Sequence, residues 1–215
     1  MKTDTLAHRQ RVVDLCLELS RRGYFSGTGG NLALRIDAQH FAVTPSATDY
    51  HTMTLENVSI VRLDDLTQIE GDRAPSVESS LHARVLRARS DVGCSIHTHQ
   101  PIASACALHG RSIPIPDGAM RAALGSYVPV VGYAPSGSGW LAAKFARKLR
   151  PDINAYLMFN HGALCCGAGV DDALLHVELL ETLARQRLRE QIAARAASTP
   201  RLRLALSRVL ATLDA

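Results

Sequence analysis

The segment Ser95-Ile96-His97-Thr98-His99 carries the clearest chemistry in the chain. Alternate residues of a strand face the same way, so His97 and His99 project side by side while Ile96 and Thr98 face the opposite layer. Two imidazoles so placed reach one ion at about 2.0–2.1 Å. Pro101 ends the strand just beyond them, because proline cannot continue a central ladder. By itself His-x-His is a weak motif. A third imidazole, His161, lies in Phe159-Asn160-His161-Gly162, where a polar turn closes an apolar strand and Gly162 permits tight backbone geometry. Read alone, His161 is a core histidine bonded to a backbone carbonyl. Read with the pair, it completes a set of three nitrogen ligands, and its burial requires a partner or an ion either way.

Glu78, in Pro75-Ser76-Val77-Glu78, is the fourth candidate. Ser76 is placed to cap a helix and Glu78 to fall in its first turn, which is a complete structural role. A carboxylate beside a dication also serves as ligand, general base, or both in succession. His82, one turn later, is a candidate outer neighbour. His8, His40, His51, His109 and His176 read as surface or packing residues. Asp117 is a candidate second acid, although its loop placement also suits a turn.

Three turns could take an anion. Ser26-Gly27-Thr28-Gly29-Gly30-Asn31 presents several backbone N–H groups just before a strand. It lacks the lysine of a P-loop and opens no helix after a strand, which argues against a nucleotide. Thr44-Pro45-Ser46 and Pro75-Ser76 each set a hydroxyl beside a proline. Together they suit a small phosphate or carboxylate; singly, each is an ordinary turn.

These residues need a scaffold, and the apolar periodicity supplies one. A helix is expected over about Leu6–Leu19, stopped by Arg21-Arg22-Gly23. Strands are expected at Asn31–Ile36, Phe41–Thr44 and Val58–Leu63. A helix follows Pro75-Ser76 with Val77, Leu81, Val85 and Leu86 as its buried stripe. Val92–His99 reads as a core strand, Ile102–Leu108 as a short helix, and Ile113–Pro116 and Val128–Val131 as brief extended pieces. Leu141–Leu149 is helical, Ala155–Phe159 is a strand, and Ala163–Cys166 continues it after a turn. A long helix runs from Asp171 to about Arg195, and another covers Leu202–Leu213. The early strands form a meander rather than βαβ units, which argues for a mixed or antiparallel central sheet with helices on its faces.

Bulk properties narrow the classes. With 215 residues, 47% hydrophobic and 20% charged, the chain fits one domain, residues 1–215, with a helical tail from about residue 190. No apolar stretch is long enough to cross a bilayer, and Met1–Gln10 lacks a signal-peptide core, so a cytoplasmic protein is expected. Net charge is +4 and aromatics make up 5%. The arginines of the tail read as a solvated helix face rather than a nucleic-acid site, and no membrane or nucleic-acid partner is expected. The five cysteines, an odd number with no Cys-x-x-Cys pair, read as buried reduced thiols.

Taken in order, Gly27-Thr28-Gly29-Gly30-Asn31, Val43-Thr44-Pro45-Ser46, Pro75-Ser76-Val77-Glu78 with His82, His97-Thr98-His99 and Asn160-His161-Gly162 resemble the class II aldolase/adducin family over roughly residues 10 to 190. The resemblance implies an α/β fold with three αβα layers and a central, mainly antiparallel sheet. It implies one Zn2+ per subunit on His97, His99 and His161, with Glu78 as ligand or acid/base. It places a substrate phosphate among Gly29, Gly30, Asn31, Ser46 and Ser76, and it implies a homotetramer with sites between subunits. The implied activity is a zinc-dependent lyase, an aldolase cleaving a short-chain ketose phosphate through an enediolate. The alternatives are a decarboxylase, a dehydratase of the methylthioribulose-phosphate type, or an epimerase on the same metal. A non-catalytic adducin-like binding module would have degraded ligands, whereas all three histidines and Glu78 are present. Two positions depart from the family pattern: Ala47 replaces a usual glycine and Val77 a usual serine. The tail past Leu188 has no tyrosine, and Tyr127 and Tyr133 are the candidates to stand in for the family's.

Overall fold

A computed structural model describes residues 2–25 and 27–214; Ser26 of the Gly-rich turn lies outside the described residues. In chain order, α1 (Lys2–Arg21) leads into a meander of β1 (Asn31–Arg35), β2 (His40–Val43), β3 (Ser59–Arg62) and β4 (Gln68–Glu70). Next come α2 (Ser79–Ala88), β5 (Cys94–Thr98) and α3 (Pro101–Ala107). A stretch of short pieces comes after them: β6 (Ile113–Pro114), α4 (Ala119–Leu124), β7 (Tyr127–Val128) and β8 (Val130–Val131). The chain ends with α5 (Gly139–Lys148), β9 (Ala155–Met158), β10 (Gly162–Gly167), α6 (Val170–Ser198) and α7 (Arg203–Asp214).

Eight strands form one sheet in the order β4-β3-β2-β1-β5-β10-β9-β8. Every pairing in it is antiparallel except β8 with β9. Because side chains alternate along a strand, each strand feeds two cores. Leu32, Ile96, Leu157 and Cys165 pack on one face with residues of α1, α3 and α6. Ala33, Phe41, Tyr156 and Leu164 pack on the other with residues of α2 and α5. This is the expected three-layer αβα arrangement. Strand register sets the neighbours of the central histidine: on β5, His97 stands opposite Asn31 of β1 on one side and Leu164 of β10 on the other. Strands β5 and β10 therefore lie in the interior of the sheet, where each is held on both edges.

The structure corrects several expectations. Helix α2 begins at Ser79, so Val77 precedes it and is 65% exposed rather than part of a buried stripe. Ser76 caps the preceding turn, its Oγ accepting the Glu78 N–H at 3.2 Å, and Glu78 itself occupies the N-cap position. Ala163–Cys166 does not prolong the previous strand but returns antiparallel to it as β10. Strand β4 and helix α4 have no counterpart in the sequence pattern; both are short, and a six-residue helix or three-residue strand leaves little periodicity to read. The five cysteines are buried and unpaired, and no described helix is long and apolar enough to cross a membrane.

Candidate metal centre and its cleft

His97 is wholly buried on β5, and His99 is half-buried one residue past the strand's end. The chain leaving His99 is clamped to α6. Gln100 donates to the Val177 carbonyl at 2.7 Å, and Glu181 accepts the first two free N–H groups of α3, from Ile102 and Ala103, at 2.9 Å each. His161 sits in the β9–β10 turn, where Asn160 adopts the left-handed conformation at φ 53°. Gly162 serves close approach rather than an unusual φ. A Cβ there would fall 2.4 Å from the Thr98 carbonyl oxygen, 2.9 Å from the His99 ring and 3.1 Å from the His97 ring.

The three rings converge. One nitrogen from each of His97, His99 and His161 lies within 4.8 Å of the others, and the two Nε2 atoms of His97 and His99 are 3.1 Å apart. Glu78 closes the group from the N-terminus of α2. Its Oε2 is 3.3 Å from His97 Nε2 and its Oε1 is 3.3 Å from His161 Nε2. Two further bonds fix that carboxylate: Asn31 Nδ2 donates to Oε2 and the Ser136 hydroxyl to Oε1, both at 2.8 Å. Burial opposes charge on Glu78, but His97, the Asn31 amide, His161 and the Ser136 hydroxyl together hold its carboxyl below the usual carboxylate range. Burial pushes the His97 imidazole well below its ordinary value, with Glu78 opposing, and likewise lowers His99.

Proton placement tests whether a cation fits here. His97 Nδ1 is 2.8 Å from the Ala163 carbonyl, which only accepts, so Nδ1 carries the hydrogen. The Nε2 of a neutral His97 is then a bare lone pair facing a carboxylate oxygen and another imidazole nitrogen. The Nε2–H tautomer of His99 satisfies one of these contacts, at 3.1 Å, but an ionised carboxylate has no hydrogen to give, so the His97 and Glu78 lone pairs at 3.3 Å repel unless a positive charge stands between them. Three imidazoles and a carboxylate form a donor set that suits zinc. His161 Nδ1 is buried with no protein partner among the described residues.

Beside the cluster lies a cleft of about 120 Å³. Gly29, Gly30, Asn31, Ser46 and Ser76 all line it, together with Glu78, His99 and His161. An antiparallel bridge between Pro45 and Pro75 joins two of the expected turns, with Ser46 N–H on the Ala74 carbonyl and Ser76 N–H on that of Thr44, both at 2.9 Å. The Gly-rich turn is seated on aromatics: Tyr50 donates to the Gly30 carbonyl, and the Phe25 ring fills the space where a Cβ on Gly30 would lie. Ala47 holds φ at 47°, the left-handed region that a glycine would occupy freely.

Sequence reading misses Ser136 and Tyr50. Both come from loops without periodicity, and nothing in their immediate sequence marks them as neighbours of Glu78 or Gly30. Of the candidate stand-ins, Tyr127 and Tyr133 are partly exposed and do not line the cleft, and Asp117 pairs with Arg121. His82 is fully buried, between Ser95 and Asn31, and His176 packs against the Cys166 carbonyl. A more open hollow of about 900 Å³ lies near Arg35, Arg62 and Arg87. Those guanidiniums are bonded to main-chain carbonyls or to Asp64, which leaves little for a ligand.

The chain is similar to known proteins in sequence and in fold. Residues 10–188 match the Class II Aldolase and Adducin N-terminal domain. L-fuculose phosphate aldolase of Haemophilus influenzae is 30% identical over 175 residues, covering 81% of this chain and 79% of that one. Methylthioribulose-1-phosphate dehydratase of a Sulfurihydrogenibium species is 32% identical over 180 residues, covering 78% and 83%. Among solved structures, an L-fuculose 1-phosphate aldolase superposes with a TM-score of 0.78 at 26% identity, covering 86% of each chain. The L-fuculose-1-phosphate aldolase of Thermus thermophilus gives 0.71 at 25%, covering 89% and 96%. The matched span takes in every strand of the sheet and all four residues of the cluster, so the chain belongs to the class II aldolase and adducin family.

Proposed function

We propose that the protein is a zinc-dependent aldehyde-lyase that cleaves a short-chain ketose phosphate. The observation that carries this is the cluster itself: three imidazole nitrogens and a buried carboxylate converge beside a cleft edged with hydroxyls and backbone amides. His97, His99 and His161, with Glu78, would hold one Zn2+ per subunit. When bound, the ion supplies a Lewis acid that draws electron density from a substrate carbonyl and makes the bond beside it easier to break.

The chain's own residues do the remaining work. Ser46, Ser76 and the N–H groups of Gly29 and Gly30 hold the substrate's anionic end and set its reacting carbons toward the histidines. Glu78 carries the proton to or from the carbon next to the carbonyl, within a site whose burial excludes bulk water. Asn31 and Ser136 keep its two oxygens apart in role, one on each bond. The named activities of the relatives are aldol cleavage of sugar phosphates and, for the 32% identical relative, dehydration of methylthioribulose 1-phosphate. The same base and cleft would serve that elimination, which makes it the second reading.

A homotetramer, with each cleft completed by a neighbouring subunit, is part of the proposal. Val77, Tyr133 and Trp140 are 65%, 52% and 56% exposed on or near the loop that carries Ser136, an apolar surface suited to an interface. Light scattering should give four chains per particle. A cytoplasmic location is likewise proposed.

The deciding experiment is a substrate panel run on protein of measured zinc content. Aldehyde release from a phosphorylated ketose, far exceeding that from its unphosphorylated counterpart, supports the reading. Equal rates would remove the phosphate pocket. A zinc content well below one ion per chain, unrecovered on reconstitution, would remove the metal.

A further inference from the structure

We propose that His82 is a positioning residue of this site: acting through Asn31, it fixes the direction in which the Glu78 carboxylate faces the three imidazoles. The inference rests on reading His97, His99, His161 and Glu78 as a metal-centred site.

The geometry is a continuous buried chain. Ser95 Oγ lies 2.8 Å from His82 Nδ1, His82 Nε2 lies 2.7 Å from Asn31 Oδ1, and Asn31 Nδ2 lies 2.8 Å from Glu78 Oε2. Ser95 and His82 are fully buried and Asn31 is nearly so, so these bonds have no competition from solvent. Starting at the carboxylate, each proton is determined. An ionised carboxylate only accepts, so Asn31 turns its amide nitrogen toward Glu78 and its oxygen toward His82. That oxygen also only accepts, so His82 carries its hydrogen on Nε2. A neutral imidazole then has its lone pair on Nδ1, and the Ser95 hydroxyl donates to it.

The chain is mounted on three elements: Ser95 on β5, His82 on α2 and Asn31 on β1. Asn31 is also the direct cross-strand partner of His97. The carboxylate is thus tied to the same strand pair that carries a candidate ligand. Without His82, Asn31 Oδ1 loses its donor and the amide is held only at its Glu78 end, so the side chain can swing and carry the carboxylate off its line. The same bonds limit what Asn31 can do for a substrate. With its oxygen and one N–H committed, its main duty is to Glu78, and the anion falls chiefly to Ser46, Ser76 and the backbone of Gly29 and Gly30.

Zinc affinity, measured by competition with a chromophoric chelator, tests this in the wild type, His82→Leu and His82→Gln, each also in a Glu78→Gln background. Glutamine can place an amide N–H where Nε2 stands, whereas leucine cannot. His82→Leu should weaken zinc binding about 10–100-fold, the usual effect of losing an outer partner of a metal site. His82→Gln should recover most of that loss. In the Glu78→Gln background the leucine substitution should add nothing, because its route to the metal is already cut. Wild-type zinc affinity in a folded His82→Leu protein overturns the proposal, and so does an equal loss in both backgrounds. If His82→Leu fails to fold, Ser95→Ala, which removes one hydroxyl, should show the same dependence on Glu78 at smaller size, and its absence is equally fatal. Imidazole 15N spectra of the wild-type protein should place the His82 hydrogen on Nε2; a hydrogen on Nδ1 refutes the chain. Should the wild type bind no zinc, the metal reading itself falls. If it binds zinc and the His82 variants match it, only the positioning role falls.

Discussion

The imidazole cluster and the proposed anion cradle share one cleft but are built from different material. His97 is mounted within a central strand paired on both edges, and His161 sits in the tight turn that opens the neighbouring strand. The cradle comes from three turns: the Gly-rich segment before β1, residues 44–47 after β2, and residues 75–77 ahead of α2. Backbone ladders set ligand positions to within tenths of an ångström, which metal chemistry demands. Turns carry no such ladder; these are stapled by one antiparallel bridge and two aromatics, and one of them holds an alanine in left-handed conformation. The difference suggests a division of labour, in which the sheet fixes the reaction and the turns fix the substrate. Substitutions on the two sides should therefore separate cleanly into effects on metal and kcat and effects on KM.

The largest effect should come from His97→Ala. Removing one of the three proposed nitrogen ligands from a wholly buried position should abolish zinc retention and reduce turnover to background while the fold survives, as judged by circular dichroism. A variant that stays active without metal would break the comparison at its root. Glu78→Gln comes next. Loss of a positioned base should lower kcat by about 10²–10⁴-fold, with KM changing far less. It also has a signature in stability. The folded carboxyl lies below its ordinary value of 4.5, so in chelator-treated protein the charged form stabilises the fold above pH 4.5. That contribution is lost as the pH falls below 4.5 toward the folded value. The stability gap between wild type and Glu78→Gln, read by thermal melts from about pH 7 down to about pH 3, should be widest at the upper end and close on acidification. A gap that widens instead would mean the carboxylate is not held in its charged form.

Gly162→Ala tests how finely the sheet positions the ligands. The added methyl meets the Thr98 carbonyl, which is backbone and cannot swing aside, and touches the His97 and His99 rings. Overpacking of this kind costs about 1–3 kcal/mol. Zinc affinity should fall with it, because the rings must part. Unchanged zinc binding would show that the strand pair tolerates more play than its geometry implies.

How much of the molecule is legible in the sequence depends on whether a residue belongs to a repeating pattern. His97 and His99 are readable as a pair because strand periodicity is two and Pro101 marks the end. The meander and the two-faced sheet come from apolar alternation. His161 and Glu78 are placed beside them by the order of family motifs, since nothing local says that residues 161 and 78 meet. Elsewhere tertiary contact replaces local pattern. Val77 carries the apolar spacing of the α2 stripe, yet the helix starts two residues later and leaves it facing outward. Ser136 and Tyr50 reach the site from irregular loops, and their bonds to Glu78 and to Gly30 span 58 and 20 residues of sequence. Asn31 is counted among the anion ligands through the family resemblance; only its side-chain bonds show it held by Glu78 and His82.

On the cradle side, Ser46→Ala and Ser76→Ala should each raise KM for a phosphorylated ketose about tenfold, since a hydrogen bond to a charged group contributes roughly 1.5–3 kcal/mol. Zinc content should not move, and kcat should change less than KM. If either substitution instead lowers kcat while sparing KM, that hydroxyl acts on the reacting centre and the separation of roles is wrong on that side of the cleft.

The smallest effect tests whether the turns are strained for a purpose. Ala47 sits at φ 47° on an exposed corner beside Ser46, where the family pattern has glycine. A left-handed non-glycine residue costs roughly 1–2 kcal/mol, and glycine gives back about 0.4–1 kcal/mol through the freer unfolded chain. Ala47→Gly should therefore stabilise the protein by about 0.5–1 kcal/mol, a rise in Tm of about 2 °C for a chain of this size. The effect on KM decides what the strain is for. If the alanine holds the Ser46 corner rigid against the anion, relaxing it should raise KM for the phosphorylated substrate even as Tm increases. If both stability and KM improve, the alanine is a tolerated departure rather than a device, and the cradle is looser by accident of sequence than the sheet that faces it.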